Sequence, residues 1–133
     1  MSAPASGSMM LMTEQDIVLC RQAVRGLMQQ LQFSLVDQTK MVTAASELSR
    51  NTVVYGGGGA MRWEILREPR TGLRLAFEDR GPGIENLDLA LADGWTSGNG
   101  LGLGLSGSKR LVNEFEIRSV VGEGTCVTIV RWK

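Results

Sequence analysis

Gly98-Asn99-Gly100-Leu101-Gly102-Leu103-Gly104-Leu105-Ser106-Gly107 is the stretch on which the fold of this chain turns. Glycine recurs at every second position from Gly98 to Gly104, and the run opens into a segment carrying Leu105, Leu111 and Val112 at helical spacing. Glycines leave backbone N–H groups unshielded, and a helix start adds partial positive charge, so the pattern suits an anion such as phosphate. Gly102-x-Gly104-x-x-Gly107 formally matches a dinucleotide fingerprint, but that motif needs a strand directly before it. Trp95 to Asn99 reads as a loop, which excludes the doubly wound parallel sheet. A Walker loop fails too, because Gly107 is followed by Ser108 and only then by Lys109.

Upstream of that stretch, residues 9–12 are apolar and suffice for a short strand. Thr13 offers a helix cap with Asp16 close behind, and Ile17, Cys20, Val24, Leu27, Met28 and Leu31 follow at helical spacing. The spacing predicts a helix over 14–31. Ser34 and Asp37 repeat the cap, and a second helix runs from Leu35 to about Tyr55, where Gly56 to Gly59 stop it. Residues 60–67 and 73–79 alternate in polarity around Pro69-Arg70-Thr71-Gly72, an antiparallel hairpin. Asn86 caps a short helix over 87–93. A loop over 94–102, a helix over 103–114, and strands over 115–121 and 125–132 complete the chain. The order implies an α+β sandwich: a mixed, largely antiparallel sheet with helices on one face. One domain over 9–133 follows a flexible leader, residues 1–8.

Composition narrows the function. Lys+Arg and Asp+Glu each number 14, and this balance argues against a nucleic-acid partner, which needs a basic excess. Histidine is absent, which removes His-based triads and His-ligated zinc. Cys20 and Cys126 are too few for a disulfide scaffold and read as buried, reduced thiols of a cytoplasmic protein. No apolar run approaches a membrane span, and the N-terminus lacks the charged region of a secretory signal. Met9, Met10, Met12 and the tryptophans read as packing residues.

Three further features bear on chemistry. Glu47 and Asn51 lie at i, i+4, one turn apart on one helix face. A carboxylate there can take a hydroxyl proton and an amide oxygen can ligate Mg²⁺, although a solvated pair has the same spacing. Asp79, followed by Gly81 and Gly83, can present acceptor oxygens at a strand end, although Asp, Gly and Pro also make plain turns. Gly122-Glu123-Gly124-Thr125 reads as a hairpin turn whose Thr125 can add a hydroxyl.

Taken in order, Glu47-x-x-x-Asn51, Asp79-x-Gly81-x-Gly83, Gly100-x-Gly102-x-Gly104 and Gly122-x-Gly124-Thr125 resemble the GHKL nucleotide-binding superfamily of gyrase-type ATPases, Hsp90 chaperones and histidine kinases. The resemblance spans about Met9 to Lys133. It implies the two-layer α/β sandwich of the Bergerat ATPase type, with ATP and Mg²⁺ as cofactors. By it, Asn51 would ligate the metal and Asp79, with Gly81 and Gly83, would hold adenine. Gly100, Leu101, Gly102, Leu103, Gly104 and Leu105 would wrap the phosphates, and Thr125 would sit beside the base.

Within the superfamily, the stretches DQTKMVTAASELSRN, FEDRGPGI and LADGWTSGNGLGLGLSGSKRLVNEFEI are similar to the RsbT-like serine/threonine switch kinases of the stressosome. That resemblance implies Glu47 as catalytic base and STAS-domain proteins, RsbS/RsbR-like, as substrates. It also implies partner switching, with release activating a phosphatase. Two other readings stand beside it: an anti-sigma factor kinase that binds a sigma factor directly, and a nucleotide-gated binding module without transfer activity. Anti-sigma kinases commonly carry a basic lid residue. Residues 84–108 here contain no Lys or Arg, so that duty would fall to Lys109, Arg110 or Arg50.

Overall fold

The computed structural model describes residues 5–92 and 104–133. Strand β1 spans Ser6–Leu11, helix α1 Glu14–Gln30, helix α2 Leu35–Arg50, β2 Gly59–Leu66 and β3 Gly72–Asp79. Two short helices, α3 over Leu87–Ala90 and α4 over Leu105–Arg110, lead to β4 over Glu114–Val120 and β5 over Gly124–Trp132. The sheet order is β1-β2-β3-β5-β4, and all four neighbouring pairs are antiparallel, where the sequence reading allowed a mixed sheet.

The caps act as the sequence suggests. Asp16 N–H donates to Thr13 Oγ1 at 3.2 Å, while Asp16 Oδ2 accepts from the Met12 and Thr13 N–H groups. Those backbone bonds hold its carboxyl below the usual range. Ile17, Cys20, Val24, Leu27 and Met28 form the buried stripe of α1. With Met41, Ala44, Ala45 and Leu48 of α2 they pack on Met61, Leu73, Leu75, Phe77 and Ile129, the inward rows of the sheet. Among the described residues no helix is long and apolar enough to cross a membrane.

Several boundaries differ from expectation. The first strand starts at Ser6, not Met9, because Ser6, Gly7 and Ser8 pair with Glu64, Trp63 and Arg62; they therefore leave the expected leader. The second helix does not run regularly to Tyr55. Its winding widens into a π-helical turn over Asn51–Tyr55, closed by Gly56 N–H donating to Asn51 C=O. Thr52, Val53 and Val54 are consecutive β-branched residues, and Thr52 Oγ1 donates back to Leu48 C=O at 3.0 Å. Both features loosen regular α winding. The last helix ends at Arg110 rather than 114, because Asn113 N–H already donates to Val130 C=O and starts the β4 pairing. Cys20 is buried, which pushes its thiol up to about 12. Cys126 is only half-buried: the alternation of β5 turns it away from the face that carries Val127.

Candidate functional site

Strand alternation builds one end of the site. Leu73, Leu75 and Phe77 are the inward residues of β3, and the same period carries Asp79 to the end of that row. On β5 the inward row is Thr125, Val127 and Ile129, and on β4 it is Phe115, Ile117 and Ser119. Phe77 pairs with Val127 and Thr125 with Ser119, so three inward rows end in Asp79, Thr125 and Ser119, side by side. Each row is apolar along the core and polar at its last residue.

Above these ends lies a pocket lined by Leu48, Asn51, Thr52, Tyr55, Phe77, Asp79, Ile84, Leu105, Thr125 and Val127, about 340 Å³ including its open mouth. Its walls are mostly apolar, and among the described residues that line it Asp79 is the only carboxylate. Asp79 Oδ1 accepts from Gly81 N–H at 2.9 Å and Thr125 N–H at 3.3 Å. These hydrogen bonds fall on Oδ1, and Oδ2 lies beside Gly56, where a Cβ would stand 2.5 Å from it. Burial raises the carboxyl above its ordinary value and outweighs the two backbone hydrogen bonds. An acceptor at the base of an apolar slot suits a flat heterocycle bearing an amino group.

The π-helical turn supplies the opposite wall. Leu48, Asn51, Thr52 and Tyr55 all reach the pocket from it and from the last turn of α2. Such turns are rare and concentrate at functional sites. Asn51 is half-buried there, and its amide oxygen is a hard donor of the kind Mg²⁺ takes. Among the described residues no cluster of three His, Cys, Asp or Glu could hold a metal. A cation beside Asn51 would therefore draw most of its ligands from phosphate and water, as Mg²⁺ at nucleotide sites usually does.

Glu47 does not line this pocket. It stands one turn before Asn51, half-buried, against the start of α4. Gly104 caps α4 in the left-handed conformation with φ +63°, and a Cβ there would lie 2.6 Å from Glu47 Oε2. Asn51 N–H donates to Glu47 C=O, so the two stay one α-helical turn apart as the spacing predicts, with Asn51 lining the pocket and Glu47 beside Gly104. Leu105 contributes a buried apolar side chain to the pocket wall. Gly100, Leu101, Gly102 and Leu103 lie outside the described residues.

Gly81 and Gly83 support the pocket through backbone. A Cβ on Gly81 would lie 2.6 Å from Gly56 C=O, so close chain approach already requires glycine there. Gly83 C=O accepts from Tyr55 Oη at 3.1 Å. Lys109, Arg110 and Arg50 are all exposed in the last turns of their helices.

Sequence reasoning missed Tyr55, Ile84 and Ser119. Ser119 Oγ accepts from Ile84 N–H at 2.7 Å and lies 2.8 Å from Thr125 Oγ1. The signal was available: Phe115, Ile117 and Ser119 alternate as do Leu75, Phe77 and Asp79, an apolar row with a polar end.

Comparison with known proteins agrees with this geometry. Residues 36–133 match the family described as Histidine kinase-, DNA gyrase B-, and HSP90-like ATPase. The chain is 43% identical over 123 residues to the Serine/threonine-protein kinase RsbT of Bacillus subtilis (strain 168), covering 92% of each protein. It is 30% identical over 117 residues to an Anti-sigma F factor of Clostridium kluyveri, covering 84% of this chain and 82% of that protein. Among solved structures, one of the RsbU and RsbW domains of a Mycobacterium tuberculosis protein superposes with TM-score 0.68 at 20% identity. That match covers 98% of this chain and 32% of the larger one, and it bears on the fold alone.

Proposed function

We propose, for a chain that belongs to the histidine kinase-, DNA gyrase B- and HSP90-like ATPase family and within it to the RsbT serine/threonine-protein kinases, that it transfers the γ-phosphoryl group of Mg-ATP to a STAS-domain regulatory protein. The observation that carries the reading is Asp79: one carboxylate oxygen is tied by backbone N–H groups, and the carboxylate stands at the base of an apolar slot. Adenine carries the amino group that such an acceptor takes. Phe77, Ile84 and Val127 offer the flat apolar walls that a purine needs.

Phosphoryl transfer asks little covalent chemistry of a protein; positioning and charge neutralisation dominate. Mg²⁺, when bound, would supply charge neutralisation on the phosphates. Asn51 would hold it from the π-helical turn. Glu47, one helical turn before Asn51 and beside Gly104, would take the proton of the attacking serine or threonine hydroxyl. The closeness of Glu47 to Gly104, where the glycine-rich stretch meets α4, supports this role.

Partner switching in sigma-factor regulation fits both kinds of relative, the RsbT kinase and the anti-sigma F factors. The higher identity to RsbT favours a stressosome-type STAS substrate, with release of the kinase activating a phosphatase. The anti-sigma relatives keep a second reading in view, direct capture of a sigma factor. Phosphotransfer assays on STAS-domain proteins, with co-purification against sigma factors, separate the two. Label on a STAS serine or threonine without sigma-factor capture supports the first. A stable sigma-factor complex supports the second.

A further inference from the structure

The segment after β3 forms a pocket wall without belonging to any strand, so something outside the sheet must fix it. Gly122 N–H donates to Pro82 C=O at 2.8 Å, which holds its first part. The next peptide is gripped at both ends. Tyr55 Oη donates to Gly83 C=O at 3.1 Å, and Ser119 Oγ accepts from Ile84 N–H at 2.7 Å. Gly83 C=O and Ile84 N–H belong to a single peptide group. Two side-chain hydroxyls, one from the π-helical turn and one from β4, therefore set the plane of this peptide and the direction of Ile84.

The grip continues toward the base of the pocket. Having accepted from Ile84, Ser119 Oγ keeps one hydrogen, and Thr125 Oγ1 at 2.8 Å is nearer than Gly124 C=O at 3.3 Å. Thr125 N–H in turn reaches Asp79 Oδ1. Tyr55, the 83–84 peptide, Ser119, Thr125 and Asp79 thus form one hydrogen-bonded chain around the end of the pocket where a base would lie. Ile84 is 9% exposed, and this arrangement keeps its side chain in the pocket wall.

We propose that Tyr55 and Ser119 are a matched pair of positioning residues for the base subsite, acting through the single peptide between Gly83 and Ile84. The proposal rests on the reading of this pocket as a nucleotide site. It makes a specific claim beyond that reading: the pair governs recognition of the base and leaves the phosphate end untouched. It also predicts that their effects are not independent. Once one hydroxyl has released the peptide, the other has less to hold.

The test is calorimetric binding of Mg-ATP and of inorganic tripolyphosphate with Mg²⁺ to the wild-type chain, Tyr55→Phe, Ser119→Ala, the double variant and Ser119→Thr. Each single deletion should weaken ATP about 3- to 10-fold, the worth of one neutral hydrogen bond, and leave tripolyphosphate unchanged. The double variant should lose less than the product of the single losses. Ser119→Thr keeps the hydroxyl and should bind ATP within about 2-fold of wild type. Equal weakening of both ligands, losses that multiply, or unchanged ATP affinity in the single variants would each overturn the proposal. A wild-type chain that binds no ATP would overturn the nucleotide reading and the proposal with it, an outcome distinct from the others.

Discussion

Glu47 and Gly104 occupy one position between them: a side-chain carbon on Gly104 would stand 2.6 Å from Glu47 Oε2. The proposed catalytic carboxylate thus stands against the residue of the glycine-rich stretch that caps α4. Gly104→Ala should perturb that carboxylate before it perturbs the fold. The φ of +63° disfavours alanine by roughly 1–2 kcal/mol, and Glu47 must also swing away. We expect transfer to fall about 10-fold or more with thermal unfolding lowered only modestly. Paired rate and melting measurements check this; a wild-type rate would separate Glu47 from the reaction.

Asn51→Ala should act on binding instead of rate. The variant removes the amide of Asn51, which lines the pocket at the start of the π-helical turn. Titrating ATP with and without Mg²⁺ should show that the metal strengthens binding for wild type and much less for Asn51→Ala. The same Mg²⁺ dependence in both proteins would place the metal elsewhere.

Asp79→Asn should improve stability and damage affinity together. Burial raises the Asp79 carboxyl above its ordinary value of 3.8, so its contribution to folding is full below that value and is lost as pH rises through the raised one. Asparagine avoids that loss and still accepts from Gly81 and Thr125. The ligand-free variant should therefore melt no lower than wild type at neutral pH. ATP should bind about 10- to 150-fold more weakly, the worth of a charge-assisted hydrogen bond. Wild-type affinity should also fall on acidification as Asp79 protonates, and the variant should not show that dependence. Melting curves and calorimetry across pH measure both effects.

Arg131 closes the other side of the molecule. Its guanidinium donates to Asp37 Oδ1 at 2.6 Å and to Leu111 C=O at 3.0 Å, tying β5 to the start of α2 and the end of α4. The hydrogen bond from Arg131 leads in holding the Asp37 carboxyl below its usual range. That stability is present above the ordinary carboxylate range and is lost as pH falls through the lowered value. Arg131→Met should cost about 1.5–3 kcal/mol at neutral pH and flatten the acid-side loss. Denaturant unfolding at neutral and acid pH gives both numbers.

Much of this was legible in the sequence because it depends on local rules. Thr13 with Asp16, and Ser34 with Asp37, signal caps wherever they occur, and the hairpin before Asp79 follows from alternation around a Pro-Gly turn. The π-helical turn was not legible, since one extra residue per turn leaves the hydrophobic period of α2 intact up to Arg50. Ser119 and Tyr55 went unnoticed because their partners are a backbone amide and a backbone carbonyl far along the chain. No side-chain motif encodes such contacts; only the alternation of β4 hinted at Ser119.

The most direct test of the kinase reading is transfer of label from γ-labelled ATP to a STAS-domain protein, run with Mg²⁺ and with a chelator. We expect label on a serine or threonine of that protein with the wild-type chain and Mg²⁺, and none with the chelator. With Glu47→Gln the label should accumulate about 10²–10⁴-fold more slowly, the usual span for loss of a general base, while ATP still binds. Transfer by Glu47→Gln at the wild-type rate would contradict the role of Glu47. A wild-type chain that binds Mg-ATP yet labels no STAS-domain protein would contradict the account as a whole.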